Sequence, residues 1–416
     1  MFDKTALDAY VKRTYDPKRM ENMLSGLREP CYGSLSSKTD GSGDNFSWLA
    51  DNDDAYNGSP DFSEAQTGAS SNTQTVGSKY LSGWNAWSAV AQLTSEIIGQ
   101  TRNDDGAWAR AYDVAFEKTL KGVEHINAVF FQGRGWGEIG QITSVSGATF
   151  VPKIASDITK YVVGMPLVFS SSLDGAVLRS ATRLWVTAVI YTPGKEKVTL
   201  SGNLSTPGGV NDDYAFIAGA RQNSATPSRI ALTGLGAWFP NQNSAISAND
   251  STLFTVDRSK NSRNYGTFID ATAGGSPVSG LIDGVTEAIT VGGAKKLRCF
   301  CSKATFASIA KDLQNAVRYD NNGEGKSVGT KRLTIYSDGE AEGTLEISRV
   351  VNDTVIWGFD PSQIVKKSIG TMPHIDKEDG LTIARIYNSA GYESRLFQQA
   401  IFQFKNPAGG LRVQLV

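Results

Sequence analysis

Two histidines and three cysteines are all that this 416-residue chain supplies of its best metal ligands and neutral-pH catalysts. Three thiols (Cys31, Cys299 and Cys301) are too few for a disulfide framework or a four-thiolate zinc site. A Ser-His-Asp relay would have to use His125 or His374 as its base. Neither is accompanied by a G-x-S-x-G nucleophile elbow. Basic charge is not in surplus either: 41 Lys and Arg face 42 Asp and Glu, for a net charge of −1. Phosphate neutralisation drives non-specific nucleic-acid binding, so negligible DNA affinity is expected of the free chain at physiological salt. No apolar run approaches the roughly 20 residues that cross a bilayer, and the opening MFDKTALDAYVKR has no apolar core of a signal peptide. Internal repeats and low-complexity tracts are absent as well.

What is present is a chain that is 40% hydrophobic, with 43 glycines and eight tryptophans, which leans toward β-structure with many turns. Its length corresponds to two or three domains at roughly 150 residues each. Residues 1–30 read as a short polar helical arm, with Leu7, Tyr10 and Val11 at helical spacing. Beyond Cys31, Asp40, Asp44, Asp51, Asp53, Asp54, Asp61 and Glu64 follow one another with no Lys or Arg between them. Phe46, Trp48 and Phe62 are the few anchors of this stretch. It is either a solvated loop or hairpin, or an arm that becomes ordered against another molecule.

A helix is expected over 82–99, with Trp84, Trp87, Val90, Ala91, Thr94 and Ile98 on one side. A longer one is expected over 107–132, which holds no Pro and the single glycine Gly122. Trp108, Tyr112, Ala115, Ile126 and Phe130 trace one apolar stripe, and Phe116, Leu120, Val123 and Phe131 a second, so it is buried on more than one face. Residues 141–222 read as β-structure, with clusters at 154–163, 165–169, 184–190, 198–200 and 214–218 forming a small sandwich or barrel. The remainder alternates. A strand at 253–256, a helix through Leu281, Val285, Ala288 and Ile289 and a strand at 297–301 come first. Ser302 then caps a further helix. Antiparallel strands at 333–336, 344–351 and 354–358 and a final hairpin joining 381–387 to 392–404 complete an α+β body.

The chemical motifs are thin. Gly135-Trp136-Gly137-Glu138-Ile139-Gly140 matches G-x-G-x-x-G, but it ends a helix where a dinucleotide site needs it to open one. Glycines that stop the long helix are the better reading. Cys299 and Cys301 share one face of a strand and read as small buried hydrophobes. No catalytic, cofactor-binding or metal-ligating residue is assigned, no cofactor is implied and no enzymatic activity is expected.

The order of elements resembles the major capsid protein of tailed bacteriophages, the Hong Kong 97-type fold. YDVAFEKTLKGVEHINAVFFQGRGWGEIGQI (112–142) is similar to that family's spine helix and its exit. GLGAWFP (234–240) and LFTVDRS (253–259) are similar to segments entering the second half of such subunits, and DGLTIARIYNSAGYESRLFQQAIFQFKNPAG (379–409) to the last hairpin of the peripheral domain.

The resemblance implies an N-terminal arm (1–30), an extended loop (31–80), a peripheral domain (81–140 and 325–416) carrying the spine helix, an inserted β-module (141–222) and a mainly axial domain (223–324). It further implies an icosahedral head shell of hexamers and pentamers that encloses double-stranded DNA without reading its sequence. The partners would be other copies of the chain, with portal and scaffolding proteins. The place would be the virion, after assembly in the host cytoplasm and without a membrane. Phe46, Trp48 and Phe62 are then assembly-interface candidates. The competing readings are an encapsulin-like compartment shell and, more distantly, a β-rich hydrolase or adhesin.

Overall fold

The computed structural model describes residues 29–51, 59–71, 77–94, 105–179, 182–204, 209–220, 231–241, 250–272, 276–314, 332–337, 342–375, 383–386 and 390–415. The arm expected over 1–30 therefore lies almost wholly outside the described residues. After a first turn of helix at Pro30–Gly33 (α1), the main helices are Phe62–Ser71 (α2), Asp105–Gln132 (α3), Pro277–Thr290 (α5) and Lys303–Gln314 (α6), with a single turn at Leu235–Trp238 (α4). At 28 residues, α3 spans about 42 Å. It buries Ala115, Val123 and the run Ala128–Phe131. Gly135 (φ 88°) and Gly137 (φ 85°) stop it in the left-handed region. A Cβ on Gly137 would stand 2.2 Å from the Ala220 carbonyl oxygen, so backbone approach excludes any side chain there.

A sheet built on the 14-residue strand Gly391–Phe404 (β21) packs on this helix. Asn85–Thr94 (β4) runs along one edge of β21 over ten residue pairs. Along the other edge lie Ile364–Ser368 (β18), His374–Ile375 (β19) and Ala384–Arg385 (β20), and Ser36–Lys38 (β1) adds to β18 in parallel. Asn127 of α3 and Gln398 of β21 exchange amide hydrogen bonds at 3.0 and 2.7 Å while both are buried. Two buried amides that satisfy each other cost little and fix the register of helix on sheet.

The helix expected over 82–99 is a correction: its described part is the strand β4. Ala91 and Leu93 are buried and Ser88 and Val90 exposed, a period of two. Trp84, Trp87, Val90 and Ala91 also fit a helical stripe, and the ladder with β21 decides the matter.

A second sheet has the order β13-β22-β17-β14-β16-β15, with Thr267–Asp270 (β13), Lys296–Cys301 (β14), Arg332–Ser337 (β15), Glu342–Ile347 (β16), Val355–Phe359 (β17) and Leu411–Gln414 (β22). The expected antiparallel strands at 333–336 and 344–351 pair as β15 and β16, but 354–358 does not continue that succession as a neighbour. β16 and β17 flank β14 on opposite sides, and β16 runs parallel to it. One face carries Leu297, Cys299, Cys301, Leu345, Leu411 and Val413 against Leu281, Val285 and Ala288 of α5 and Phe306 and Ile309 of α6. The other face brings Phe300, Trp357 and Phe359 into the main core. This sheet mixes strands from both sides of residue 325, so that expected boundary does not follow sheet membership. Ser302 caps α6 as expected, its hydroxyl accepting the Thr305 N–H at 3.2 Å. The expected strand 253–256 is instead a hairpin of Thr252–Leu253 (β11) and Val256–Asp257 (β12), turned by Phe254 and Thr255 at positive φ.

Between α3 and α4 the chain closes a six-stranded barrel, β10-β5-β6-β9-β8-β7. Its strands are Glu138–Ser146 (β5), Thr149–Pro152 (β6), Pro166–Ser170 (β7), Leu184–Ile190 (β8), Lys197–Leu200 (β9) and Tyr214–Ile217 (β10). β5 and β6 are polar enough to lie below the threshold of hydrophobic patterning, and the expected strand in 154–163 is in part a 3-10 helix, Ala155–Lys160. Phe150, Tyr161, Leu167, Phe216 and Val198 are fully buried within the barrel region.

Where the barrel meets α3, His125 Nε2 lies 3.2 Å from the Lys160 carbonyl, and Lys160 and Asp157 form a buried ion pair at 2.7 Å. Burial pushes the His125 imidazole below its ordinary range.

Candidate assembly interface

Asn45–Asp51 (β2) and Gly77–Gly83 (β3) form a two-stranded ribbon outside both large sheets, and α2 lies in the segment that joins them. Alternation along the ribbon creates two unlike faces. Phe46, Trp48, Ala50 and Tyr80 face inward, and Trp48 pairs with Tyr80 across the ladder. Leu49 is 77% exposed and Leu81 41%, on the opposite face.

The inner face is bolted to the core by aromatic contacts. Trp48 stacks on Tyr80 with ring centroids 5.2 Å apart, Tyr80 meets Trp238 at 5.1 Å, and Trp238 stacks on Phe404 at 4.6 Å. The Trp48 indole N–H donates to the Phe404 carbonyl at 3.1 Å, and the Tyr80 hydroxyl donates to Asn264 Oδ1 at 2.9 Å. Offset and tilted rings at such spacings add about 0.5–1.5 kcal/mol per pair beyond burial. Burial pushes the Tyr80 phenol up to about 12. The ribbon's root is fixed separately. Lys367 holds the Asp40 carboxylate, which lowers its pKa, and Gly41 sits so close to the Ser368 backbone that a Cβ would be 2.7 Å from its carbonyl oxygen.

The three sequence candidates therefore part ways. Phe62, the first residue of α2, is 82% exposed. Phe46 is half-buried between Trp48 and Trp84, at 5.4 and 5.5 Å. Trp48 is 6% exposed and belongs to the chain's own core, so of the three candidates it is the one with least surface to offer a neighbour. Leu49 and Leu81 are the outward apolar residues that the sequence reading missed. The signal was available: Leu49 is the large apolar residue out of step with Phe46, Trp48 and Ala50. Asp61 caps α2, accepting the Ser63 N–H at 3.0 Å, and Glu64 follows in the first turn, where a carboxylate suits the helix dipole.

The residues considered for chemistry are dispersed. His125 is occupied at the barrel junction. His374 Nδ1 lies 3.1 Å from the Thr371 carbonyl, with its ring edge-on to Phe397. Cys31, Cys299 and Cys301 are buried free thiols, and burial pushes Cys301 up to about 12 and raises Cys31 and Cys299 strongly. Among the described residues no three His, Cys, Asp or Glu side chains could hold a metal ion, and no helix is long and apolar enough to cross a membrane. A cleft of about 270 Å³ is lined by Lys296, Arg298, Glu342, Thr344 and Asp360. The Arg298 guanidinium in it is already forked onto Glu346 at 3.1 and 2.5 Å.

No protein-family model matches the chain, and no curated protein sequence matches it. Solved structures do. The chain is similar to the capsid protein of cyanophage A-1(L), at TM-score 0.48 and 7% identity over 99% of both chains. It is similar to the capsid of a native GTA particle, at TM-score 0.44 and 10% identity over 99% of this chain and 98% of that one. It is also similar to the capsid of cyanophage P-SCSP1u, at TM-score 0.42 and 7% identity over 98% and 94%.

Proposed function

We propose that this chain is a major capsid protein: a structural subunit that assembles, many copies together, into the icosahedral head shell of a tailed phage and encloses its double-stranded DNA. The observation that carries this reading is the two-faced ribbon. Its inner face is locked into the core through Trp48 and Tyr80, while Leu49 and Leu81 on its outer face, and Phe62 at the start of α2, are exposed to water. Burying one such side chain is worth about 1.5–3 kcal/mol, which a lone subunit forgoes and a neighbour recovers. Closed symmetric shells repeat such a contact at every subunit. The long helix, the barrel that follows it in the chain, and the capsids among the similar solved structures support the same reading.

Net charge near zero lets copies approach without strong mutual repulsion and leaves the enclosed DNA ungripped. Portal and scaffolding partners, and assembly in the host cytoplasm, belong to this reading as expectations. Against a hydrolase, His125 and His374 each face a backbone carbonyl and the thiols are buried. The test is to express the full chain and examine it by sedimentation and electron microscopy. Closed particles or ring-shaped capsomers are expected. A discrete small oligomer at every concentration and salt overturns the proposal, and particles filled with a protein cargo favour the compartment-shell alternative.

A further inference from the structure

One strand edge of this molecule is long and open. β4 lies at the margin of the sheet on α3, paired with β21 on one side over ten residues. Among the described residues, no backbone group other than those of β21 bonds to residues 86–94, so the far side of the strand presents a row of free N–H and C=O groups. Natural sheets blunt such edges with charge, proline, bulges or brevity. The other margins of the two large sheets follow that rule. β1 has three residues and ends in Lys38, β19 and β20 have two residues each, β13 ends in Asp270 and β15 opens with Arg332. β4 does not follow it. Between Lys79 and Glu96 the sequence has no charged residue and no proline, and the ladder with β21 runs without a bulge.

The side chains of β4 raise no barrier to a partner. Trp87 meets Phe130 of α3 at 5.4 Å, and Ala89, Ala91 and Leu93 share its face. The opposite face carries Ala86, Ser88, Val90 and Gln92, with Val90 46% exposed. The outer-face charges beside it, Glu393 and Arg395, lie one strand in on β21 and are already paired with each other at 2.8 Å. A second strand laid along the free edge would therefore oppose no charge.

We infer that this edge pairs with itself: β4 of one copy lies antiparallel to β4 of a second copy about a two-fold axis through Val90, and the two sheets become one. The register follows from the pleat. The sheets join with both α3 helices on the same side only when opposed residues belong to the same face, which requires the axis to pass through a residue. An axis at Val90 sets Val90 against itself, Ser88 against Gln92, Ala89 against Ala91 and Trp87 against Leu93. Each pair is matched in polarity, and such pairs are the unit of sheet stabilisation. An axis at Ala89 sets Ser88 against Val90 and Ala86 against Gln92, polar against apolar. The occupant is a second copy because the uncharged strand complements its own reverse, and two-fold self-pairing is the commonest form of symmetric association. The inference rests on the shell-subunit reading, to which it adds an isologous contact that is measurable on a free dimer.

Cysteine substitution in the full chain tests the axis. Opposed Cα atoms of an antiparallel pair are about 4.5–5.5 Å apart, within disulfide reach. Treatment of Val90→Cys with diamide should give a covalent dimer, while the three native thiols are buried and stay silent. Ser88→Cys alone should give none, and Ser88→Cys mixed with Gln92→Cys should cross-link. Charge gives a second readout. Val90→Lys and Val90→Glu each bring like charges together on the axis and should weaken self-association roughly tenfold or more by sedimentation equilibrium. An equal mixture of the two should recover it, as only a position that faces its own copy can. Association without the Val90→Cys cross-link, or a mixture that fails to recover although both variants melt like the parent, overturns the pairing. Particles that assemble regardless of charge at position 90 overturn the pairing and leave the shell reading standing. A parent chain that cross-links through Val90→Cys yet never passes beyond dimer does the reverse.

Discussion

Trp48 and Phe404 are 356 residues apart in sequence, yet the indole N–H of one donates to the backbone carbonyl of the other at 3.1 Å. That bond ties the ribbon to the end of β21, the strand that organises the sheet packed on α3. The same contact makes Trp48 part of the fold, whereas Phe62 stays exposed.

Trp48→Ala should destabilise the subunit by about 3–5 kcal/mol, because it empties a core site and orphans the Phe404 carbonyl. Phe62→Ala, at an exposed position, should change stability by no more than about 0.5 kcal/mol. Urea unfolding of the two variants measures both. Assembly should respond the other way, with Phe62→Ala lowering particle yield in a chain that still folds. Equal stabilities would remove Trp48 from the core.

Trimming the arm has a structural limit. Asp51 and Gly77 are the last paired residues of the ribbon, so residues 52–76 can be replaced by a short Gly-Ser turn with the β2–β3 ladder intact. That variant should fold with a nearly unchanged melting temperature and fail to close shells. Replacing residues 42–63 instead removes Phe46, Trp48 and Ala50 from the core and should leave the chain unfolded or aggregated. Circular dichroism and sedimentation of the two variants decide it.

The barrel closes on itself through β10, which pairs with both β5 and β7. A fragment of residues 138–220 should therefore unfold cooperatively and give a β-type circular dichroism spectrum. A fragment of 141–222 lacks Glu138 and Gly140, which pair with Phe216 and Ala215, and should melt at lower temperature. A longer fragment that is no more stable than the shorter one would contradict the register.

His125 gives a pH signature. Burial, opposed by the hydrogen bond to the Lys160 carbonyl and aided by the Arg349 charge, lowers its pKa in the folded chain from 6.5. The unfolded chain then binds a proton that the folded chain refuses. The contribution is fully present above pH 6.5 and is lost as the pH falls through the folded value. His125→Gln keeps a donor for the carbonyl and removes the titration, so its stability should fall less than the parent's between pH 7 and pH 5. A parallel pH dependence in the two proteins would show that His125 is not the group responsible.

Some of this architecture lay open in the sequence. The long helix was legible because a run without proline and with one interior glycine, striped on two faces, has no alternative as a strand. Its glycine stop was legible because only glycine takes positive φ at no cost. The scarcity of histidine and cysteine and the balance of charge bounded the function before any coordinates. Tertiary structure alone decided the rest. β4 carries a pattern that suits either period, and its ten-residue ladder with β21 made it a strand. β14, β16 and β17 are joined in an order that no local signal encodes, because partners in a sheet are chosen by packing across distant segments. Trp48 and Phe62 look alike in sequence, two aromatic residues in an acidic stretch. Pairing with residues 77–83 and the aromatic stack beneath make Trp48 a core residue, whereas Phe62 opens a helix outside the ribbon and stays exposed.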